Sequence, residues 1–90
     1  MDFDWDEANE WHLGEHDIEP YEATEVLFND PVKLWKGIEE GELRYRVVGE
    51  TDNGRLLVIV YTYRGEKVRV ITGFKPNQEE RRKYKGRRGK

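Results

Sequence analysis

The hydrophobic pattern is clearest between Arg55 and Phe74, in the stretch RLLVIVYTYRGEKVRVITGF. Leu56 to Tyr61 is an unbroken apolar run rich in β-branched residues. Such a run suits a central strand covered on both faces. The second arm alternates: Val68, Val70 and Thr72 point one way while Arg69 and Ile71 point the other. That predicts a strand with one wet or functional face. Arg64-Gly65 predicts the tight turn between the arms, with glycine supplying a positive φ. A core strand beside one that carries a cation on its second face implies a sheet built around a site or an interface.

Upstream, Leu43, Tyr45 and Val47 alternate with Arg44, Arg46 and Val48, and Asp52-Asn53-Gly54 is a strong hairpin signal before the central strand. Val32 to Trp35 predicts a short strand followed by a loop containing Gly37 and Gly41. The chain opens with Asp2-Phe3-Asp4-Trp5, alternating and strand-like, after which Asp4 or Asp6 can cap a helix. On a helical wheel Trp5, Ala8, Trp11 and His12 share the arc expected to pack on the sheet, with Asn9 and His16 at its edge. Pro20 opens a second helix with an Ala23, Val26 and Leu27 stripe, ended by Asn29-Asp30-Pro31. Asn77 and Glu80 have capping-box spacing at the start of a last helix. In that nearly all-charged helix only Tyr84 can act as an anchor. One domain is expected over residues 1–85, and residues 86–90 read as a basic, disordered tail.

Charge sharpens this picture. Residues 1–30 hold eleven Asp and Glu and no Lys or Arg, whereas residues 76–90 hold seven basic against two acidic residues. A polyanion would be repelled by the first third and drawn to the cationic strand face and the tail. The acidic third is expected to face solvent or a basic partner. With 90 residues and no cysteine, disulfides and thiolate chemistry are excluded, and a stabilising partner fits the small core. No apolar span or signal-like start is present, so the expected location is cytoplasmic.

If the polyanion drawn to this face is an RNA, cleaving it without a metal requires a base for the 2′-hydroxyl, an acid for the leaving 5′-oxygen, and cations for the phosphorane. His16, Arg69, Lys75, Arg81 and Tyr84 supply these roles if the first helix, the last strand and the last helix converge. In that arrangement His16 is acid or base, and Arg69 and Lys75 clamp the phosphate. Arg44, Arg46, Arg81 and Arg82 are the further candidates for RNA binding. Structural alternatives stand beside these. His12 fits a core histidine, Arg69 fits an ion pair with Glu66 or a helix carboxylate, and Trp5, Trp11 and Trp35 fit the core. His12 and His16 have zinc spacing on one helical face but no clear third ligand, so neither metal nor cofactor is expected.

The chain resembles the BrnT-type ribonuclease toxins, which are related in fold to RelE-like toxins. FDWDEAN followed by His12 and His16, then PYEATEVLFNDP, GRLLVIVYTYRGEKVRVIT and EERRKY, are similar to that family's successive segments. The resemblance implies an α+β fold, which the residue pattern fills in as an antiparallel β-sheet meander with two N-terminal helices packed on it and a short C-terminal helix. It also implies an RNA-cleaving toxin and a cognate antitoxin with a DNA-binding domain, expected to be a ribbon-helix-helix, in a hetero-oligomer. Two segments depart from the family pattern. Thr72-Gly73-Phe74 stands where Ser/Thr-Ala-Arg is usual, with Lys75 next door, and Glu15-His16-Asp17 stands where Lys-His-Gly is usual. An alternative function is therefore a catalytically weak or inactive module that binds the antitoxin as a corepressor.

Overall fold

The computed structural model describes residues 1–88. The chain runs β1 (Asp2–Phe3), α1 (Glu7–Gly14), α2 (Pro20–Phe28), β2 (Val32–Glu39), β3 (Glu42–Glu50), β4 (Leu56–Arg64), β5 (Lys67–Phe74) and α3 (Gln78–Arg88). The strands form one sheet in the order β1-β5-β4-β3-β2. Strands β2 to β5 are the expected antiparallel meander, and β1 adds a short parallel edge to β5. The α+β class and the flanking helices agree with the sequence reading.

Tight turns set the register. At the β2–β3 turn Glu40 and Gly41 have φ of 51° and 75°, the two positive values of a type I′ turn. That turn replaces the expected loop: β2 continues through Gly37 to Glu39, because Lys36, Gly37 and Ile38 pair with Tyr45, Arg44 and Leu43. Gly65 has φ 63° at the first position of the β4–β5 turn, where glycine avoids a Cβ clash.

Strand β4 is covered on both faces, as its apolar run predicts. On one face Leu57 and Ile59 join Val47, Val70, Leu13 and Ile18 with Ala23 and Val26 of α2; on the other Val58 joins Val32, Val48 and Tyr84. Helices α1 and α2 therefore lie on one face and α3 on the other. The buried side of α1 is Asn9 and Leu13, and not the predicted arc: Ala8 and His12 are exposed and Trp11 is 64% exposed. Asn9 can be buried because it is satisfied. Its Nδ2 donates to the Asp4 carbonyl at 2.8 Å, its Oδ1 accepts from the Asp6 amide at 2.9 Å, and its own amide donates to the Asp6 carboxylate.

Helix α3 opens with the predicted capping box, in which Asn77 and Glu80 exchange 2.8 Å bonds. It continues through Gly86 to Arg88, past the expected boundary at residue 85. Lysine and arginine sustain a helix well and complement the dipole at its C-terminal end. Residues 89–90 of the expected tail lie outside the described residues. Tyr84 is buried under α3, and its hydroxyl donates to Glu50 Oε1 at 2.8 Å.

Candidate functional site

Because paired residues in adjacent strands share a face, the registers place side chains across the sheet in rows. The row Val32–Val48–Val58–Phe74 lies under α3. Beyond it come Trp35–Arg46–Val60–Thr72, and then Gly37 and Arg44 with Thr62 and Arg69. Arg44, Arg46 and Arg69 are thus brought onto one sheet face, but the expected alternation of β5 breaks at a bulge: Val70 pairs with Tyr61 and Thr72 with Val60, so Thr72 lies on the face of Arg69 and not on that of Val68 and Val70. Helix α3 packs on β2 and β3 and leaves these outer rows open at one side.

The arginines do not present bare charge. Arg44 pairs with Glu42 at 3.2 Å and Glu40 at 3.3 Å, and Arg46 pairs with Glu39 at 3.6 Å. Arg69, whose side chain is 12% exposed, pairs with Asp4 at 3.5 Å and Asp6 at 3.0 Å. Hence part of the acidic first third folds back onto the strand cation, where solvent exposure or a basic partner was expected. The Asp6 carboxyl is held below its ordinary value of 3.8, chiefly because it accepts the Asn9 amide, with the Arg69 guanidinium adding to this against a cost of desolvation.

Arg46 stacks over Trp35, its guanidinium carbon 5.4 Å from the ring centroid. The indole extends over Gly37, where a Cβ would come within 2.3 Å of it. Trp35 is thus a partly exposed platform on an edge strand, sharing a cleft with Glu80 and Lys83 of α3, and not the core residue expected. The buried Nε of Arg46 has no hydrogen-bond partner among the described residues.

His16 occupies a separate corner. The turn after α1 is fixed by bonds from the His16 and Ile18 amides to the Leu13 carbonyl and from the Asp17 amide to Gly14. Asp17 takes φ 61°, and its carbonyl accepts Arg55 Nη1 at 2.8 Å while Arg55 also pairs with Glu22. His16 is exposed on this anchored turn, its ring 6.1 Å from that of Phe74. Lys75, also exposed, follows directly. His12 turns elsewhere, toward Trp11 and to Glu15 at 3.5 Å, so it is exposed and not buried in the core.

Two groups therefore form along β5: the arginine rows, and His16 with Phe74 and Lys75. Arg69 and Phe74 are five residues apart, roughly 16 Å along a strand. The expected convergence of His16 and Arg69 on a single point is not present, since α1 separates Asp6 at its start from His16 beyond its end. Arg81 and Arg82 are exposed on α3, and Arg82 donates to Gln78 at 3.5 Å. Tyr84, expected at the site, has its hydroxyl engaged beneath α3. Sequence reading missed Trp35 and the Asp4–Asp6 pair as parts of the arginine surface. The Asp-x-Asp spacing was visible, but its partner was not.

The arginines gathered on one sheet face of this α+β domain make that face the candidate site. Residues 5–80 match the family described as the ribonuclease toxin, BrnT, of type II toxin-antitoxin systems, and the chain belongs to that family. Membership implies an RNA substrate and an antitoxin partner. A comparison with curated proteins finds no matching relative. No helix among the described residues is long and apolar enough to cross a membrane.

Proposed function

We propose that this chain is a metal-independent endoribonuclease that arrests translation and growth in the cytoplasm until a cognate antitoxin neutralises it. The observation that carries the reading is the placement of Arg44, Arg46 and Arg69 on one sheet face. An RNA strand lying along β5 meets Arg69 at one end and His16 with Lys75 at the other. Arg44, Arg46, Arg81 and Arg82 hold phosphates, exchanging partly exposed carboxylate partners that contribute little to stability. His16 transfers the proton, and the Lys75 and Arg69 cations stabilise charge on the phosphorane. Tyr84 acts as the anchor of α3 that keeps the phosphate-binding face in shape. The antitoxin carries a ribbon-helix-helix domain and forms a hetero-oligomer with the toxin.

Inducible expression of the chain without its antitoxin tests this reading. Growth should stop, and His16→Ala and Arg69→Ala should each restore it while leaving the thermal unfolding profile intact. Arrest that persists in both variants removes the assignment. One observation favours a second reading, an inactive antitoxin-binding corepressor: all three sheet arginines already have carboxylate partners. That protein would cause no arrest when expressed alone.

A further inference from the structure

The reverse face of the sheet has outer rows of its own. Lys36 pairs with Tyr45 and Tyr45 with Tyr61, while Ile38 pairs with Leu43 and alternation brings Leu43 beside Tyr63. Tyr45 and Tyr61 stack with centroids 5.2 Å apart, Tyr63 meets both edge-on, and Lys36 Nζ lies 5.7 Å from the Tyr45 centroid. The phenol of Tyr61 is pushed up from its ordinary value of 10.0 by burial and by its tyrosine neighbours. Beside the cluster, under the end of α2, runs a groove of about 240 Å³ lined by Met1, Leu27, Val47, Tyr61, Tyr63 and Lys33.

Ile38 is 66% exposed and Tyr63 51% exposed, so the rows leave an apolar patch continuous with the groove. Neither Lys33 nor Lys36 has a carboxylate within ion-pair distance among the described residues, whereas Arg44, Arg46 and Arg69 on the opposite face each do. We infer that this groove docks an acidic, amphipathic segment of the antitoxin, with apolar side chains on Tyr63 and Ile38 and carboxylates toward Lys33 and Lys36. The inference rests on the toxin reading above and adds to it the surface and the chemistry of the partner.

Physical chemistry favours a peptide here. The Tyr45 ring is already engaged, stacked on Tyr61 and with Lys36 Nζ over it, while nucleobases need open ring faces on which to stack. Exposed aliphatic residues give RNA nothing, whereas aromatic and aliphatic anchors inside a charged rim are the usual core of a protein interface. The groove is smaller than the roughly 300–1,000 Å³ typical of small-molecule sites, so it suits side-chain anchors. It also lies across the sheet from the arginines, which makes binding at the two surfaces separable.

The full chain should be titrated with the purified product of its adjacent reading frame and, separately, with a short single-stranded oligouridine. Ile38→Glu, Tyr63→Ala and the double variant Lys33→Glu/Lys36→Glu should each weaken the antitoxin complex by about tenfold or more while oligouridine binding stays unchanged. The positions are exposed or partly exposed, and thermal unfolding of each variant checks its fold. Tyr63→Ala and the lysine pair keep the test decisive should Ile38→Glu fail to fold. Antitoxin affinity unchanged in every folded variant overturns the inference while leaving the toxin reading in place. A fall in oligouridine binding instead makes the groove an RNA surface and also overturns it. If the unsubstituted chain does not bind the adjacent product, both readings fall.

Discussion

The two faces of this sheet use cations in opposite ways. On one, Arg44, Arg46 and Arg69 lie among five carboxylates of the same chain; on the other, Lys33 and Lys36 have no carboxylate partner among the described residues and lie beside tyrosines and exposed aliphatic residues. The arginine-rich face is thus the more compensated of the two. Local pairing, more than the number of basic residues, sets the potential that an approaching polyanion meets. An arginine held flat by carboxylates is also pre-positioned, so a phosphate exchanges one anion for another without first ordering the side chain.

The largest effect should come from removing what supports both faces. Ile59 is fully buried under α1 and α2, and Ile59→Ala should cost about 2–5 kcal/mol in urea unfolding, enough to impair RNA and antitoxin binding together. Loss of one binding activity alone would show that the faces do not share this core.

Arg69→Ala should act on one face only. Its cleavage rate should fall by about a hundred- to a thousandfold, the scale of losing one preorganised electrostatic donor. Its unfolding free energy should change by less than about 1 kcal/mol, because partly exposed ion pairs contribute little. Tyr84→Phe should do the reverse and lower stability by about 1–3 kcal/mol through loss of the bond to Glu50, with cleavage retained. Cleavage lost at unchanged stability would return Tyr84 to the catalytic set.

Unmasking the arginine face gives a smaller effect. The double variant Asp4→Asn/Asp6→Asn keeps a good helix cap, since asparagine caps as well as aspartate, and removes both partners of Arg69. Oligouridine affinity should rise severalfold, with a steeper salt dependence. Unchanged affinity would mean that the pairs do not mask the face.

The smallest effect is in acid. The folded state holds Asp6 below its ordinary value of 3.8, so its contribution is present above that value and is lost as pH falls through the lower folded value. Between about pH 5 and about pH 2 the unfolding temperature should fall more steeply in the unsubstituted chain than in Asp6→Asn. Parallel curves would show that Asp6 is no better held in the folded state than in the unfolded chain.

What could be read along the chain was local. The covered strand β4, the alternation of β3, the Pro20 start of α2 and the Asn77–Glu80 box all depend on residues within a few positions of one another, so sequence spacing encodes them directly. The wheel for α1 failed because it centred the arc on Trp11 and His12 and passed over Leu13; the buried side is Leu13 with Asn9, which is satisfied by bonds to Asp4 and Asp6. The arginines were legible as candidates for one face, and a pairing of Arg69 with a helix carboxylate was legible too, but not that the α1 cap Asp6 and Asp4 supply it. Asp6 and Arg69 are 63 residues apart, and they meet because β1 adds in parallel to the edge of β5. His16 was legible as an exposed histidine, yet its separation from Arg69 follows from the path of α1 alongside β5. The tyrosine groove depends on the pairing of three strands and on where α2 stops. Strand registers and helix cover arise from contacts between distant segments, and no spacing along a single strand or helix records them.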